Sequence, residues 1–270
     1  VEYQIPTRGL KDDELDMALH INHIGEGLSK AVEKSMKDER LKTDLITNVS
    51  HDIKTPLTSI INYVDLLKRE NIQDPKIQGY LDILEAKAQR LKHLTEDVVE
   101  ASKISSGNIT MEYMNINFVE MINQTTGEFA EKFEKRNLQI VLNVPEKPVM
   151  VRTDGRRMWR VIENIYNNAA KYALEGTRVY ADLIEKEHTV EFSLKNISEQ
   201  PLNISADELT ERFIRGDVSR STEGSGLGLS IAKNLTELQG GKFELYLDGD
   251  LFKVTIVFPK AVVGQSVTKS

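Results

Sequence analysis

From Asp12 to about Gly107, apolar residues recur every three and four positions, with one interruption between Asn71 and Lys76 where Asn71, Asp74 and Pro75 punctuate the pattern. This predicts two long helices joined by a turn. In the first, Met17, Ile21, Ile24, Leu28 and Ala31 alternate spacings of four and three, the seam of a coiled coil. The seam lapses at Ser35 and Asp38, so an ordinary amphipathic helix fits these positions as well. Further along, Ile46, Val49, Ile53, Leu57, Ile60, Val64 and Leu67 form one stripe. In the second helix Ile77, Leu81, Leu84, Ala88, Leu91 and Val98 repeat the alternation, with Thr95 at the polar seam position. A hairpin with one apolar stripe per helix buries little alone, and pairing with a second copy into a four-helix bundle covers both stripes.

Ser105, Ser106 and Gly107 end the helical pattern and mark a linker. Beyond it the periodicity changes. Segments 139–144, 178–184, 189–194 and 252–258 are β-prone, and helical patterns lie at about 118–136, 155–173, 206–213 and 227–239. The mixture predicts an α+β sandwich, a mostly antiparallel sheet covered by helices on one face.

Composition narrows the functional classes. A net charge of −7 leaves no surplus of Lys and Arg to neutralise phosphates, which argues against a nucleic-acid binder. Without cysteine there is no disulfide framework or thiolate metal site. No apolar run approaches the roughly 20 residues of a membrane-spanning helix, so the chain as given is expected to be soluble. It begins at Val1 without Met, and upstream membrane spans stay open.

His51 and Thr55 fall nearly opposite the apolar stripe of the first helix. A neutral imidazole nitrogen on a solvated helix face can accept a phosphoryl group. A carboxylate at Asp52, bonded to one ring N–H, would leave the other nitrogen's lone pair free. An isolated His-Asp pair is otherwise an ordinary surface feature. Pro56, however, removes a helical hydrogen bond beside the ring, so a kink is expected there. A second cluster is Asn164, Asn168 and Lys171, on one helix face by four- and three-residue spacing. Amide oxygens are hard ligands for Mg²⁺, although helical asparagines are often merely exposed. The third is Gly224-Ser225-Gly226-Leu227-Gly228, opening an apolar helix whose N-terminus favours anions.

The run Leu45 to Leu57, containing Ser50-His51-Asp52-Ile53-Lys54-Thr55-Pro56, resembles the phosphoacceptor box of sensor histidine kinases. The resemblance implies that His51 is autophosphorylated, that Asp52 is its acid/base partner, and that Thr55 orients water for dephosphorylating the partner protein. Arg160 to Tyr172 resembles the same family's asparagine box. That implies Asn168 as Mg²⁺ ligand, Asn164 on the triphosphate, and Lys171 and Tyr172 lining the nucleotide. Related gyrase-type ATPases carry a Glu where Asn164 stands, and its absence favours transfer over hydrolysis. The glycine cluster resembles the second glycine box, with Gly224, Gly226, Leu227 and Gly228 at the nucleotide behind a lid at about 216–223. Glu211 to Arg215 resembles the phenylalanine box, with Arg215 at the γ-phosphate.

One motif departs from the family. The first glycine box, usually Asp-x-Gly-x-Gly with the Asp on adenine, falls at Leu194 to Pro201, where Asn196, Ser198 and Gln200 take the three positions. An Asn oxygen still accepts a bond from the adenine amino group, without charge assistance. Weakened affinity or relaxed base selectivity is the expectation.

By resemblance the chain divides into a HAMP-like or coiled-coil signalling helix (1–40), a dimerisation and histidine phosphotransfer domain (41–107), a linker (108–116), a catalytic ATP-binding domain (117–262) and a tail (263–270). ATP and Mg²⁺ are the implied cofactors. A response regulator, whose aspartate receives the phosphoryl group, and a second copy of the chain are the implied partners. The implied place is the cytoplasmic side of the membrane, below an upstream sensor. Two rivals stay open: a nucleotide-binding scaffold without catalysis, and a gyrase-type ATPase, which explains neither His51 nor the hairpin.

Overall fold

The computed structural model describes residues 5–6, 11–70, 72–107, 109–203, 205–206, 209 and 226–261. Arg215, Gly224, the lid at 216–223, the tail at 263–270 and most of the expected helix at 206–213 lie outside the described residues.

Helix α1 (Asp12–Arg69) runs unbroken to a turn, and α2 (Pro75–Ser105) returns against it. Asp74 caps α2 by accepting from the Lys76 N–H at 2.8 Å, and Pro75 takes the first helical position, where no N–H is required. The turn is thus where Asn71, Asp74 and Pro75 indicate it. Pro56 does not interrupt α1, although it cannot donate to the Asp52 carbonyl. Next to it, the Thr58 hydroxyl donates to the Lys54 carbonyl at 2.8 Å.

The single apolar stripe expected on α1 divides in two. Leu57 and Val64 are buried in the hairpin seam with Leu81 and Ala88 of α2, and the seam continues at seven-residue spacing through buried Ser50 and Thr43. The Thr43 hydroxyl reaches the Ser102 carbonyl at 3.5 Å. Ile53, Ile60 and Leu67, with Ile77, Leu84 and Leu91, form a second stripe whose members are 38% to 51% exposed. Burying one such side chain contributes about 1.5–3 kcal/mol, so this stripe is a large uncollected stabilisation. Met17, Ile21, Ile24 and Leu28 are also exposed. Among the described residues no helix is long and apolar enough to cross a membrane.

The remainder is a layered α/β unit. Strand β1 (Tyr113–Asn117) pairs antiparallel with β3 (Met150–Asp154), and α3 (Phe118–Glu134) leads to β2 (Gln139–Asn143). Then come α4 (Gly155–Tyr172), β4 (Arg178–Glu185), β5 (Thr189–Ile197), α5 (Gly228–Leu238), β6 (Lys242–Asp248) and β7 (Leu251–Pro259). Among the described residues the main sheet has order β2-β4-β5-β7-β6, parallel only between β2 and β4. The segment 108–116, expected as linker, therefore ends in a paired strand. β1, β3 and β6 were not expected from the sequence pattern.

Period-two alternation places Val190, Phe192, Leu194 and Asn196 of β5 on one buried face, with Val254, Ile256 and Phe258 of β7 beside them. The apolar sides of α3, α4 and α5 complete this core. Tyr166 of α4 is fully buried, stacks on Phe192 at 6.3 Å, and shares a 2.9 Å hydrogen bond with the Thr126 hydroxyl of α3. Burial pushes its phenol up to about 12, against a lowering by the Thr126 bond. The helix bearing the asparagines is thus anchored through its opposite face.

Candidate functional site

The segment around His51 stands in water. The His51 and Asp52 side chains are 80% and 84% exposed, and Nδ1 lies 3.8 Å from Asp52 Oδ1, just beyond hydrogen-bond length. A small rotamer change closes that gap and leaves Nε2 outward. Thr55 is one turn on, its hydroxyl donating to the His51 carbonyl at 3.4 Å. Its oxygen keeps lone pairs toward solvent on the same helix face.

The second constellation forms where α4, α5 and the end of β5 converge. Asp154 starts α4 by accepting from the Arg157 N–H at 3.0 Å, and also accepts from the Glu112 N–H at 2.9 Å. Burial raises the Asp154 pKa, but these backbone donors and the Arg157 charge outweigh it, so the carboxyl titrates below its ordinary value. One further turn along α4 from Arg160, Asn164 is buried. Asn168 is half-buried, Lys171 exposed and Tyr172 half-buried.

Gly228 packs directly on Asn164: a Cβ at position 228 would lie 3.2 Å from Asn164 Oδ1. Gly226 holds φ at 73°, where other residues are strained. Among the described residues no side chain caps α5, and Gly228 at its start stands beside Asn164. The asparagine helix and the glycine segment are thus brought together. The fold does not bring them to His51, because α1 packs on α2 alone among its principal contacts.

Asn196 reaches this region because β5 alternation turns it inward with Phe192 and Leu194. Its Nδ2 donates to the Ile197 carbonyl at 3.1 Å, which also accepts from the Leu174 N–H at 2.8 Å, just past α4. Among the described residues its Oδ1 is buried without a partner, and so is Nδ2 of Asn164. Two buried orphans of opposite polarity, one acceptor and one donor, are costly unless a ligand satisfies them. ATP fits both: its adenine amino group donates and its phosphates accept. Asn168, half-buried beyond Asn164, supplies a hard amide oxygen suited to Mg²⁺. Ser198, in place of a glycine, is buried and accepts from the Gln200 N–H at 3.3 Å.

Sequence reasoning missed Arg136. It donates to the Ala170 carbonyl at 3.1 Å, to that of Lys171, and to Glu199 at 2.7 Å, tying the end of α4 to the segment after β5. Its position just after α3 gives no local sign of this partner. Gln239 was missed too: it accepts from the Thr153 hydroxyl and the Asp154 N–H, joining the end of α5 to the start of α4. An open groove of about 540 Å³ lies elsewhere, between Leu142–Val144 and Asp182–Ile184, and holds none of these groups.

Both parts of the chain resemble known proteins. Residues 41–107 match the His Kinase A (phospho-acceptor) domain, and residues 153–262 match the histidine kinase-, DNA gyrase B- and HSP90-like ATPase family. The chain is 30% identical over 256 residues to the sensor protein VanSC of Enterococcus gallinarum, covering 91% of this chain and 70% of VanSC. The crystal structure of full-length ShkA in complex with AMPPNP shares the fold with a TM-score of 0.67, at 20% identity, over 82% of this chain and 46% of ShkA. The histidine kinase ThkA, in complex with the response regulator protein TrrA, shares it with a TM-score of 0.55, at 23% identity, over 87% of this chain and 67% of ThkA. A phosphoacceptor hairpin joined to an ATP-binding ATPase domain, with this kinship to VanSC, means that the chain belongs to the sensor histidine kinases of two-component systems.

Proposed function

We propose that His51 is the residue this kinase phosphorylates, using ATP and Mg²⁺ held between α4, α5 and the end of β5. The observation that carries the reading is a pair of buried atoms without a partner among the described residues, Asn196 Oδ1 and Asn164 Nδ2, matched in polarity to the two ends of ATP. Asn168 would hold the metal, whose charge offsets that of the phosphates. Lys171 and Tyr172 flank the nucleotide at the end of α4. Gly224, Gly226, Leu227 and Gly228 bring backbone N–H groups to the phosphates, and Arg215 contributes charge at the γ-phosphate.

In the transfer, the Nε2 lone pair of His51 bonds to the γ-phosphorus as the bond to the ADP oxygen breaks. Asp52 holds the proton on Nδ1 and offsets the charge that develops on the ring. The phosphoryl group then passes to an aspartate of a response regulator, the kind of partner ThkA carries in its complex. Thr55 orients water for the reverse, dephosphorylating activity. The exposed stripe of Ile53, Ile60, Leu67, Ile77, Leu84 and Leu91 is the face on which a second copy completes a four-helix bundle. Residues 1–40 relay signals from membrane-anchored sensor segments upstream, with this portion on the cytoplasmic side.

The test is incubation with γ-labelled ATP and Mg²⁺, comparing the chain with His51→Gln. Label that survives alkali, is lost in acid and is absent from the variant is the expected result. Steady ATP hydrolysis without self-labelling, or label retained by the variant, rejects the assignment.

A further inference from the structure

The two halves of the molecule are joined by more than the chain between them. At the base of α2, Ala101 and Ile104 are buried in the same apolar cluster as the core of the ATP-binding domain. One turn up the stem lies a cluster of five charged side chains. Arg160 of α4 donates to Asp97 and, at 3.2 Å, to Glu100, both on α2, and at 2.8 Å to Glu163 of its own helix. Arg157 donates to the other Glu100 oxygen at 2.9 Å. Asp97 and Glu100 side chains are only 12% and 14% exposed and the two arginines 23%, so these are charge-assisted bonds largely out of water. Removing one partner of such a cluster leaves the others buried and underpaired.

The position of the cluster gives it a role. Thr43 faces Ser102 across the antiparallel seam, so His51, eight residues up α1, is level with Leu94, eight residues back along α2. At about 1.5 Å per residue, Asp97 and Glu100 lie about 5 to 9 Å along the stem from the level of His51. The ATP-binding domain is thus held beside the phosphoacceptor but against α2, whereas His51 stands open on α1. One apolar contact at Ala101 and Ile104 permits a pivot; a second attachment at Asp97 and Glu100 fixes the angle.

We infer that the Asp97–Glu100–Arg157–Arg160 cluster is an ion-pair latch that parks the ATP-binding domain on α2, away from His51, and must open before transfer. The inference rests on the proposed kinase reading for its consequence but not for its geometry. The latch carries two carboxylates on the stem and two guanidinium groups on the domain, so the isosteric pair Asp97→Asn with Glu100→Gln removes the charge while keeping the shape.

The experiment uses the absence of native cysteine to place nitroxide labels at Lys87→Cys on α2 and Glu237→Cys on α5, both exposed positions. Pulsed electron resonance on labelled chain diluted with excess unlabelled chain, so that a dimer holds one labelled copy, should give one narrow distance in the parent and a broad distribution in the Asp97→Asn, Glu100→Gln chain. Labelling of His51 by γ-labelled ATP should rise by about tenfold, the scale of one such charge-assisted bond. Arg157→Gln, altered on the other side of the contact, should shift both readouts in the same direction. Unchanged distances in both variants overturn the latch whether or not His51 is labelled. Slower labelling with a broadened distribution overturns it also, since the contact would then belong to the transfer arrangement. Absence of label from the parent chain counts against the kinase reading alone, because the distances report the latch independently.

Discussion

Replacing Asn196 by alanine tests how the nucleotide base is read. The side chain is 3% exposed, and its Nδ2 is held at 3.1 Å by a carbonyl that is itself fixed by the Leu174 N–H. The acceptor, Oδ1, is buried with no partner among the described residues and is left to face a ligand. An amino group, as on adenine, satisfies it; the carbonyl that guanine presents at the equivalent ring position sets acceptor against acceptor. Leaving a buried acceptor unsatisfied costs about 1–3 kcal/mol, which corresponds to about 5- to 150-fold in affinity. On the proposed reading the tether should make Asn196 select adenine as a carboxylate would, whereas the Asp-to-Asn departure by itself suggests relaxed selectivity; the two expectations differ in a measurable ratio. Calorimetric titration with non-hydrolysable ATP and GTP analogues in Mg²⁺ should show that preference in the parent chain and its collapse toward unity in Asn196→Ala. Equal affinities in the parent chain, or a preference that survives the alanine, would refute the reasoning.

Asp154→Ala removes the α4 cap and should cost about 0.5–2 kcal/mol in chemical denaturation. Because the folded Asp154 pKa lies below its unfolded value, its contribution is complete above the unfolded pKa and disappears as pH falls through the folded one. The gap between parent and variant should therefore narrow in acid. Gly241→Ala puts a Cβ 2.5 Å from the ring of buried Phe258 and should destabilise by about 1–3 kcal/mol, read as a lowered Tm; an unchanged Tm counts against tight packing there. Leu84→Lys places a charge in the exposed stem stripe and should convert the proposed dimer to monomer in sedimentation, while Ala86→Lys, also exposed but on the opposite side of the same helix, should not.

The helical hairpin and the principal strands were legible because their periodicities are long and their turn residues unambiguous. Aliphatic positions along one stripe of α1, by contrast, look alike in sequence: only the structure separates Leu57 and Val64, facing α2, from Ile53 and Ile60, facing outward. β1 and β3 escaped notice because five residues such as Tyr113 to Asn117 or Met150 to Asp154 carry too few alternations, and their pairing partners are far apart in the chain. The three site helices and strands were identified by their motifs, but the orientation of the Asn196 amide depends on a carbonyl that no spacing rule connects to it. Arg160 and Asp97 are likewise 63 positions apart, and charged residues on two amphipathic helices give no sign that they meet.

The hairpin seam is not uniform along its length. Toward the turn it is closed by Leu57, Val64, Leu81 and Ala88; toward the open end Thr43 and Ser50 occupy the same line, with Ser102 and Thr95 on the other helix. Hydroxyl-bearing side chains interlock less firmly than leucines and exchange hydrogen bonds at little cost, so the two ends differ in stiffness. Pro56, where one backbone bond is already missing, sits at the boundary, five residues from His51. The stem is accordingly built like tweezers: clasped at the tip, compliant at the handles, with the reactive ring just on the compliant side of the joint.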